Sequence, residues 1–356
     1  MTISQADPRY DAAALRAYAA DLLKAGGLDE DKAGTVAAVL VEGDLLGHDT
    51  HGLALLPAYL DEISKGSMRT EGAVEVLRDS GAAAVWNAHR LPGPWVIAKA
   101  VEHCLGKARE TGTATVAIRR SHHIACLAAY LKTVTDAGCV GIIASSDPAV
   151  ESVAPHGGTR RIITPNPLAA GLPTSGDPMI LDISMSTTTN GMVARMLREG
   201  RPLPHAWILD GHGRATADPA AYSADPPGSI LPLGGTELGY KGFGLGLLVE
   251  ALTAGLSGHG RADEKEGWGA TVFVQVMDPE WFAGLDAFRR QMDHLVAEIA
   301  DNPPVSPGGE VRVPGHNGLR RRARQRVEGV RLHPSVLPSL EPWTTRLSVA
   351  PPLPVV

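Results

Sequence analysis

The sequence predicts an α/β fold, and three observations carry the prediction. Short β-type runs alternate with helix-type stretches between residues 82 and 144. Helical periodicity dominates the chain before them. The 356 residues, 44% of them hydrophobic, are enough for substantial cores.

Asp11 to Lys24 reads as an amphipathic helix with Leu15, Tyr18, Ala19, Leu22 and Leu23 on one face, ended by Gly26-Gly27. Asp29 or Asp31 caps a second helix running through Val36, Leu40 and Leu45-Leu46 and closing at Gly47. A polar turn, His48-Asp49-Thr50-His51-Gly52, precedes the apolar stretch Leu53 to Ile63. The strands expected next are Ala82–Trp86, Thr115–Ile118, Val140–Ala144 and Met179–Ile183, with helices over Trp95–Thr111 and Cys126–Ala137 between the first three. A glycine-rich helix over Gly239–Gly258, a strand over Ala270–Val276 and a helix over Asp286–Ala300 follow. The last twenty or so residues are Pro-rich and read as an extended tail.

Composition narrows the function. A net charge of -6 argues against nucleic acid and against an acidic membrane surface. The basic run Arg320-Arg321-Arg322 with Arg324 and Arg326 reads as a solvated helix face. No apolar run reaches membrane-span length; the longest candidate, Gly242 to Gly258, carries Glu250. Cys104, Cys126 and Cys139 are widely spaced, so neither a disulfide framework nor a zinc knuckle is indicated. A soluble protein of the reducing cytoplasm is the expectation.

Two histidine clusters sit in turns, and histidine is the side chain that moves protons near neutrality. His51 follows the hydroxyl of Thr50 and precedes Gly52, which lets the backbone approach a ligand; Asp49 or Thr50 can fix its tautomer. The other reading is a set of capping residues at a helix junction. Ser121-His122-His123 follows a strand end, where α/β sheets present ligand-binding residues, and a helix cap is again the alternative. The four turn histidines fit no zinc spacing, so no metal is expected. Gly242-Phe243-Gly244-Leu245-Gly246 fails the full dinucleotide pattern and reads better as helix packing. Lys241 before it can meet a phosphate or a carboxamide, or be an ordinary surface lysine.

Taken in order, these segments resemble the malate/L-lactate dehydrogenase family that lacks the Rossmann fold. Its Ser-His-Gly motif stands here as Thr50-His51-Gly52, with Leu56-Pro57 and Tyr59 following. Its Ser-Asn-His-Phe-Gly segment is Ser121-His122-His123-Ile124-Ala125, and its Gly-Thr-Asn-Pro turn is Thr164-Pro165-Asn166-Pro167. The Asp-x-Ala-Thr-Ser run is Asp182-Ile183-Ser184-Met185-Ser186 with Gly191, and Asp210-Gly211 with Thr216-Ala217-Asp218-Pro219 follows. The Lys-Gly-Tyr-Gly-Leu helix is Lys241-Gly242-Phe243-Gly244-Leu245, and the late Pro-Gly element is Pro314-Gly315.

The resemblance implies a non-Rossmann mixed-sheet cofactor domain with a helical domain formed from both chain ends. Residues 1–74 would be the helical N-terminal unit, 75–285 the cofactor and substrate domain, 286–340 a helical unit packing with the first, and 341–356 the tail. It implies a homodimeric dehydrogenase that moves a hydride between NAD or NADP and a small 2-hydroxy acid. His51 would donate and accept the proton with Thr50 polarising it, and His123 would lie where substrate and nicotinamide meet. His122, Arg120 and Asn166 are placed at the substrate. His123, Ile124, Leu127, Asp182, Ile183, Ser184, Lys241, Gly242, Pro314 and Gly315 are placed at the cofactor.

Four departures qualify the match. Leu55 stands where the family usually has a carboxylate-gripping arginine, as in the 2-hydroxycarboxylate dehydrogenase subgroup, and Arg119 or Arg120 is the candidate replacement. That loss favours a substrate with an apolar or bulkier side over a dicarboxylate such as malate. Met192 replaces the acidic residue of the imine reductases, which weakens the rival reading as an NADPH-dependent reductase of cyclic imino acids. Thr50 for Ser and Ala125 for Gly each add a methyl group. His316 replaces an acidic residue after Pro314-Gly315, leaving the cofactor choice open. A family member that binds metabolite without turnover is the non-enzymatic rival; His51, Asn166, Asp182 and Lys241 speak against it.

Overall fold

The computed structural model describes residues 8–355. A short strand, β1 (Arg9–Tyr10), leads into helices α1 (Ala12–Ala25), α2 (Glu30–Leu46) and α3 (Leu56–Ser64). Asp11 caps α1 by accepting the Ala14 amide at 2.8 Å. Of the two aspartates competing to cap α2, Asp29 does so, accepting the Lys32 amide at 2.9 Å. The helix stops at Gly47, whose φ of +89° is the left-handed conformation that glycine adopts without strain.

The middle of the chain runs β2 (Glu75–Asp79), β3 (Ala83–Asn87), α4 (Gly93–Thr111), β4 (Thr113–Ser121), α5 (Ala128–Asp136), β5 (Val140–Ser146), β6 (Leu168–Leu172), β7 (Met179–Ile183) and α6 (Asn190–Arg198). Three two-residue strands, β8 (Ile208–Leu209), β9 (Ala215–Thr216) and β10 (Ser229–Ile230), form a small separate sheet. Then come α7 (Gly235–Glu250), β11 (Ala270–Met277), α8 (Leu285–Ala300), α9 (His316–Glu328), β12 (Val330–Arg331) and α10 (Val336–Leu347).

The main sheet has seven strands in the order β2-β3-β4-β11-β5-β6-β7. Only β3 and β4 are parallel; every other neighbouring pair is antiparallel, so the sheet is mixed. The late strand β11 enters its centre, and Val272, Val274 and Val276 are fully buried there. Helices α4 and α5 pack on the sheet and α2 packs on them; α7 and the π-helical turn Ala251–Gly255 meet β5 and β11. Leu15, Leu40 and Leu56 share one core cluster with Ile97, Val116 and Val274. The helical layer and the sheet are thus bonded by a common apolar interior.

Two strands of the main sheet lack a readable signal. All five residues of β2 are exposed, so it has no buried face to produce alternation. Strand β6, Leu168-Ala169-Ala170-Gly171-Leu172, has no β-branched or aromatic residue and is held as a strand by pairing on both sides. The end of the chain also departs from the extended tail expected from residue 341. Helix α10 runs through Leu347 with Pro342 inside it, because Val336 and Leu340 bury one turn apart against the core. Tyr18 Oη and Thr344 Oγ1, 2.5 Å apart, tie it to α1. Helix α9 docks on α2, where Gln325 donates to the carbonyls of Asp44 and Leu45 and Arg322 pairs with Glu42. Helix α8 buries none of its residues. Among the described residues no helix is long and apolar enough to cross a membrane.

Candidate active site

The turn after α2 is folded back on that helix. A Cβ on Gly43 would come within 2.9 Å of the His51 carbonyl oxygen, so only glycine lets the turn lie this close. A Cβ on Gly52 would come within 2.3 Å of the Asp44 carboxyl, so the close approach that Gly52 permits is to Asp44, not to a ligand. Asp44 accepts the Leu53 amide at 2.8 Å. Burial raises its pKa to about 8, with the nearby Asp49 adding to the rise, so the carboxyl holds its proton at neutral pH.

Within this elbow Thr50 Oγ1 lies 2.8 Å from His51 Nδ1. Thr50, not Asp49, therefore fixes the ring; the Asp49 carbonyl accepts instead from Arg195 of α6 at 3.3 Å. Burial lowers the pKa of His51, opposed by the negative charge of Asp182 and reinforced by His48. A neutral imidazole beside a carboxylate is a proton acceptor poised to be charged.

The second histidine turn follows β4. The His123 ring centroid is 5.9 Å from that of His51 and 4.7 Å from that of Trp268. Tyr59 Oη reaches His123 Nδ1 at 3.0 Å and its carbonyl at 3.1 Å. The Ala125 amide also donates to Nδ1 at 3.3 Å, which assigns that nitrogen as an acceptor and leaves the ring proton on Nε2. Burial drives the His123 pKa well below the usual imidazole value, with His51 and His122 adding to the drop. His122 is fully buried; its Nε2 lies 3.5 Å from Glu62, and its pKa falls to about 4, mainly through burial.

Of the residues expected at the cofactor, Asp182, Ile183 and Ser184 lie at the end of β7, and Ile124, Leu127, Pro314 and Gly315 adjoin it. Asp182 Oδ2 accepts the Ala128 amide at 2.8 Å and lies 3.7 Å from Cys126 Sγ, which joins the end of β7 to the turn containing Ile124 and Leu127. Ile183 is 43% exposed beside it, and Ser184 donates to the Ser186 carbonyl. Pro314 accepts the Ile180 amide at 3.1 Å. Gly315, at φ +86°, opens α9 against the same strand, where a Cβ would meet the Ile180 carbonyl oxygen at 2.7 Å. Gly242 packs on Leu233, whose amide bonds the Met185 carbonyl next to Ser184. Lys241 is on the exposed side of α7.

Two residues expected at the substrate are engaged elsewhere. Arg120 pairs with Glu266 at 2.8 Å. Asn166 is fully buried, and its amide donates to the Gly246 carbonyl and to Glu250. Glu250 also takes Ser146 and Arg261, so this network braces α7 against the sheet. Leu55 packs against the main core. Trp268, Asp44 and Arg195 were missed by the sequence reading, because a lone tryptophan, a helical aspartate and a helical arginine carry no spacing signal. Tyr59 belongs to a sequence motif, but its bond to a histidine 64 positions away has no local trace.

Known proteins share this architecture. Residues 10–341 match the family described as malate/L-lactate dehydrogenase. An L-sulfolactate dehydrogenase of Methanothermobacter thermautotrophicus is 30% identical, over 89% of this chain and 91% of that protein. A (2R)-3-sulfolactate dehydrogenase (NADP(+)) of Chromohalobacter salexigens is 32% identical, over 90% of this chain and 93% of that one. The solved malate dehydrogenase of Pyrococcus horikoshii superposes with a TM-score of 0.88 at 26% identity, covering 99% of both chains. With its fold and nearly its whole length matched, the chain belongs to the malate/L-lactate dehydrogenase family.

Proposed function

We propose that the protein interconverts a small 2-hydroxy acid and its 2-oxo acid, with NAD or NADP as hydride partner. The observation that carries this reading is the half-buried His51 imidazole, bonded to Thr50 on one nitrogen and facing the His123 ring 5.9 Å away. In oxidation, neutral His51 takes the hydroxyl proton on Nε2 while Nδ1–H donates to Thr50 Oγ1. His123 offers Nε2–H to the substrate oxygen, held in place by Tyr59 and Trp268. In reduction the His51 proton travels the other way.

The residues around β7 suit a nicotinamide dinucleotide. Helix α9 starts at Gly315 without a side-chain cap; the His316 amide bonds the Val313 carbonyl, and the amides of Asn317 and Gly318 are the ones open to a phosphate. The exposed Ile183 offers an apolar ledge between the polar Asp182 and Ser184. Asp182, Ile183, Ser184, Pro314 and Gly315 would hold the cofactor, backed by Ile124 and Leu127, with Lys241 and Gly242 on the neighbouring helix. When bound, the nicotinamide supplies or accepts the hydride.

Arg195 is our assignment for the carboxylate grip that Leu55 cannot provide. It reaches the carbonyl of Asp49 in the elbow and has no carboxylate partner among the described residues. Two copies of the chain are proposed to pair through α7 and α8. Leu238, Tyr240, Leu245 and Leu248 are 44–54% exposed on α7, an apolar surface that a lone chain would leave in water. Three free cysteines suit the cytoplasm.

The test follows NADH and NADPH absorbance with 2-oxo acids from pyruvate and oxaloacetate to an aryl-pyruvate, plus one cyclic imino acid. Turnover of a monocarboxylic 2-oxo acid is expected; oxaloacetate as the best substrate would refute the apolar-side reading. Turnover of the imine alone would overturn the whole proposal.

A further inference from the structure

We propose that His48, Cys126 and Asp182 form a site for a thiophilic divalent cation, Zn²⁺ by its ligand chemistry, that competes with the cofactor. The three come from separate places: the turn after α2, the turn after β4 and the end of β7. Their ligand atoms all lie within 4.8 Å of one another, and Cys126 Sγ is 3.7 Å from Asp182 Oδ2. Tetrahedral bonds of about 2.0–2.3 Å put ligand atoms roughly 3.3–3.7 Å apart, so a closure of about 1 Å completes the geometry.

The movement needed falls on His48. Its ring has no hydrogen-bond partner among the described residues and sits in a turn outside the helix. Asp182 Oδ2 accepts the Ala128 amide and the Cys126 thiol proton, and loss of that proton to solvent on binding turns Oδ2 from the thiol's acceptor into a ligand beside its sulfur. The other two thiols are different: Cys104 and Cys139 each point a sulfur at a backbone carbonyl, and among the described residues no carboxylate and imidazole complete a set with either. A sulfur, nitrogen and oxygen set selects Zn²⁺ over Mg²⁺ or Ca²⁺, which take oxygen ligands. Binding converts Cys126–SH and Zn²⁺ into a Zn–S bond and one proton released to solvent, with water in the fourth position.

Asp182 cannot serve an ion and the cofactor together, so occupancy would shut the dehydrogenase. That competition rests on the proposed function; the site itself does not. The full-length protein without cofactor is titrated with Co²⁺, and the near-ultraviolet thiolate-to-cobalt charge-transfer band is read. One equivalent should saturate the band, Zn²⁺ should abolish it, and Cys126→Ala should never show it, whereas Cys104→Ala and Cys139→Ala should. His48→Ala should weaken binding at least about 10-fold, and it decides the matter if Cys126→Ala does not fold. No band, a band that survives Cys126→Ala, or unchanged affinity in a folded His48→Ala protein overturns the site. Saturating NADH or NADPH should suppress the band; a band indifferent to both refutes the competition. A protein silent on every 2-oxo acid but retaining the band would fail the proposed function and leave the site standing.

Discussion

The elbow of His48 and His51 and the turn of His122 and His123 carry the same pair of side chains in different surroundings. His122 is interred and His123 half-buried, both bracketed by Tyr59 and Trp268, and desolvation pushes both pKa values well below the usual imidazole range. His51 is half-buried, but Asp182 opposes the shift and Thr50 meets one nitrogen. The comparison separates two uses of histidine: a fixed donor whose protonation state does not change, and a base whose state must change at every turnover.

The sharpest way to break that comparison is His51→Ala. Its kcat should fall roughly 10²–10⁴-fold with cofactor affinity largely kept, as for a lost general base. Unchanged turnover would remove the elbow from the chemistry. The pH profile sharpens the same point: the acid limb of oxidation should lie below about 6.5, since burial depresses His51. Asp182→Asn removes the charge that favours the imidazolium, so the limb should move lower still; a limb that stays in place would break the link.

Arg195→Ala should raise KM more than it lowers kcat, costing about 10–100-fold in kcat/KM, the worth of a charge-assisted bond. Equal loss with a substrate lacking a carboxylate would deny it the role. Tyr59→Phe removes the hydroxyl at His123 Nδ1 and should cost about 5–10-fold in kcat without moving the acid limb of oxidation. A shifted limb would make His123, and not His51, the titrating base.

The smallest expected effect is on stability. Asp44 has a folded pKa of about 8 against roughly 3.9 unfolded, so the folded state binds its proton more tightly. The stability this provides is full below about pH 4 and is lost as pH rises through about 8. Asp44→Asn keeps an acceptor for the Leu53 amide and cannot ionise. Its Tm should therefore gain on the wild type as pH rises from about 4 to about 8, and the two should run parallel above that. Curves parallel throughout would show that Asp44 holds no proton in the folded protein.

Much of the fold was legible because its signals are local. Asp11 and Gly47 mark helix ends, and β4, β5, β7 and β11 carry β-branched runs. Strand β6 and helix α10 were not, since pairing and burial between distant segments override weak or contrary propensities there.

The sequence alone determined the family, the alternating α/β texture and the two histidine turns, because motif order and hydrophobic period are properties of neighbouring residues. The tertiary structure decided what those residues meet. It turned Gly52 onto Asp44, paired Arg120 with Glu266, buried Asn166 under α7, and drew His48, Cys126 and Asp182 from three elements into one cluster. Apart from the Gly52–Asp44 approach, these contacts span 50 to 150 positions; they are fixed by packing of the shared core, and packing leaves no mark on residue spacing.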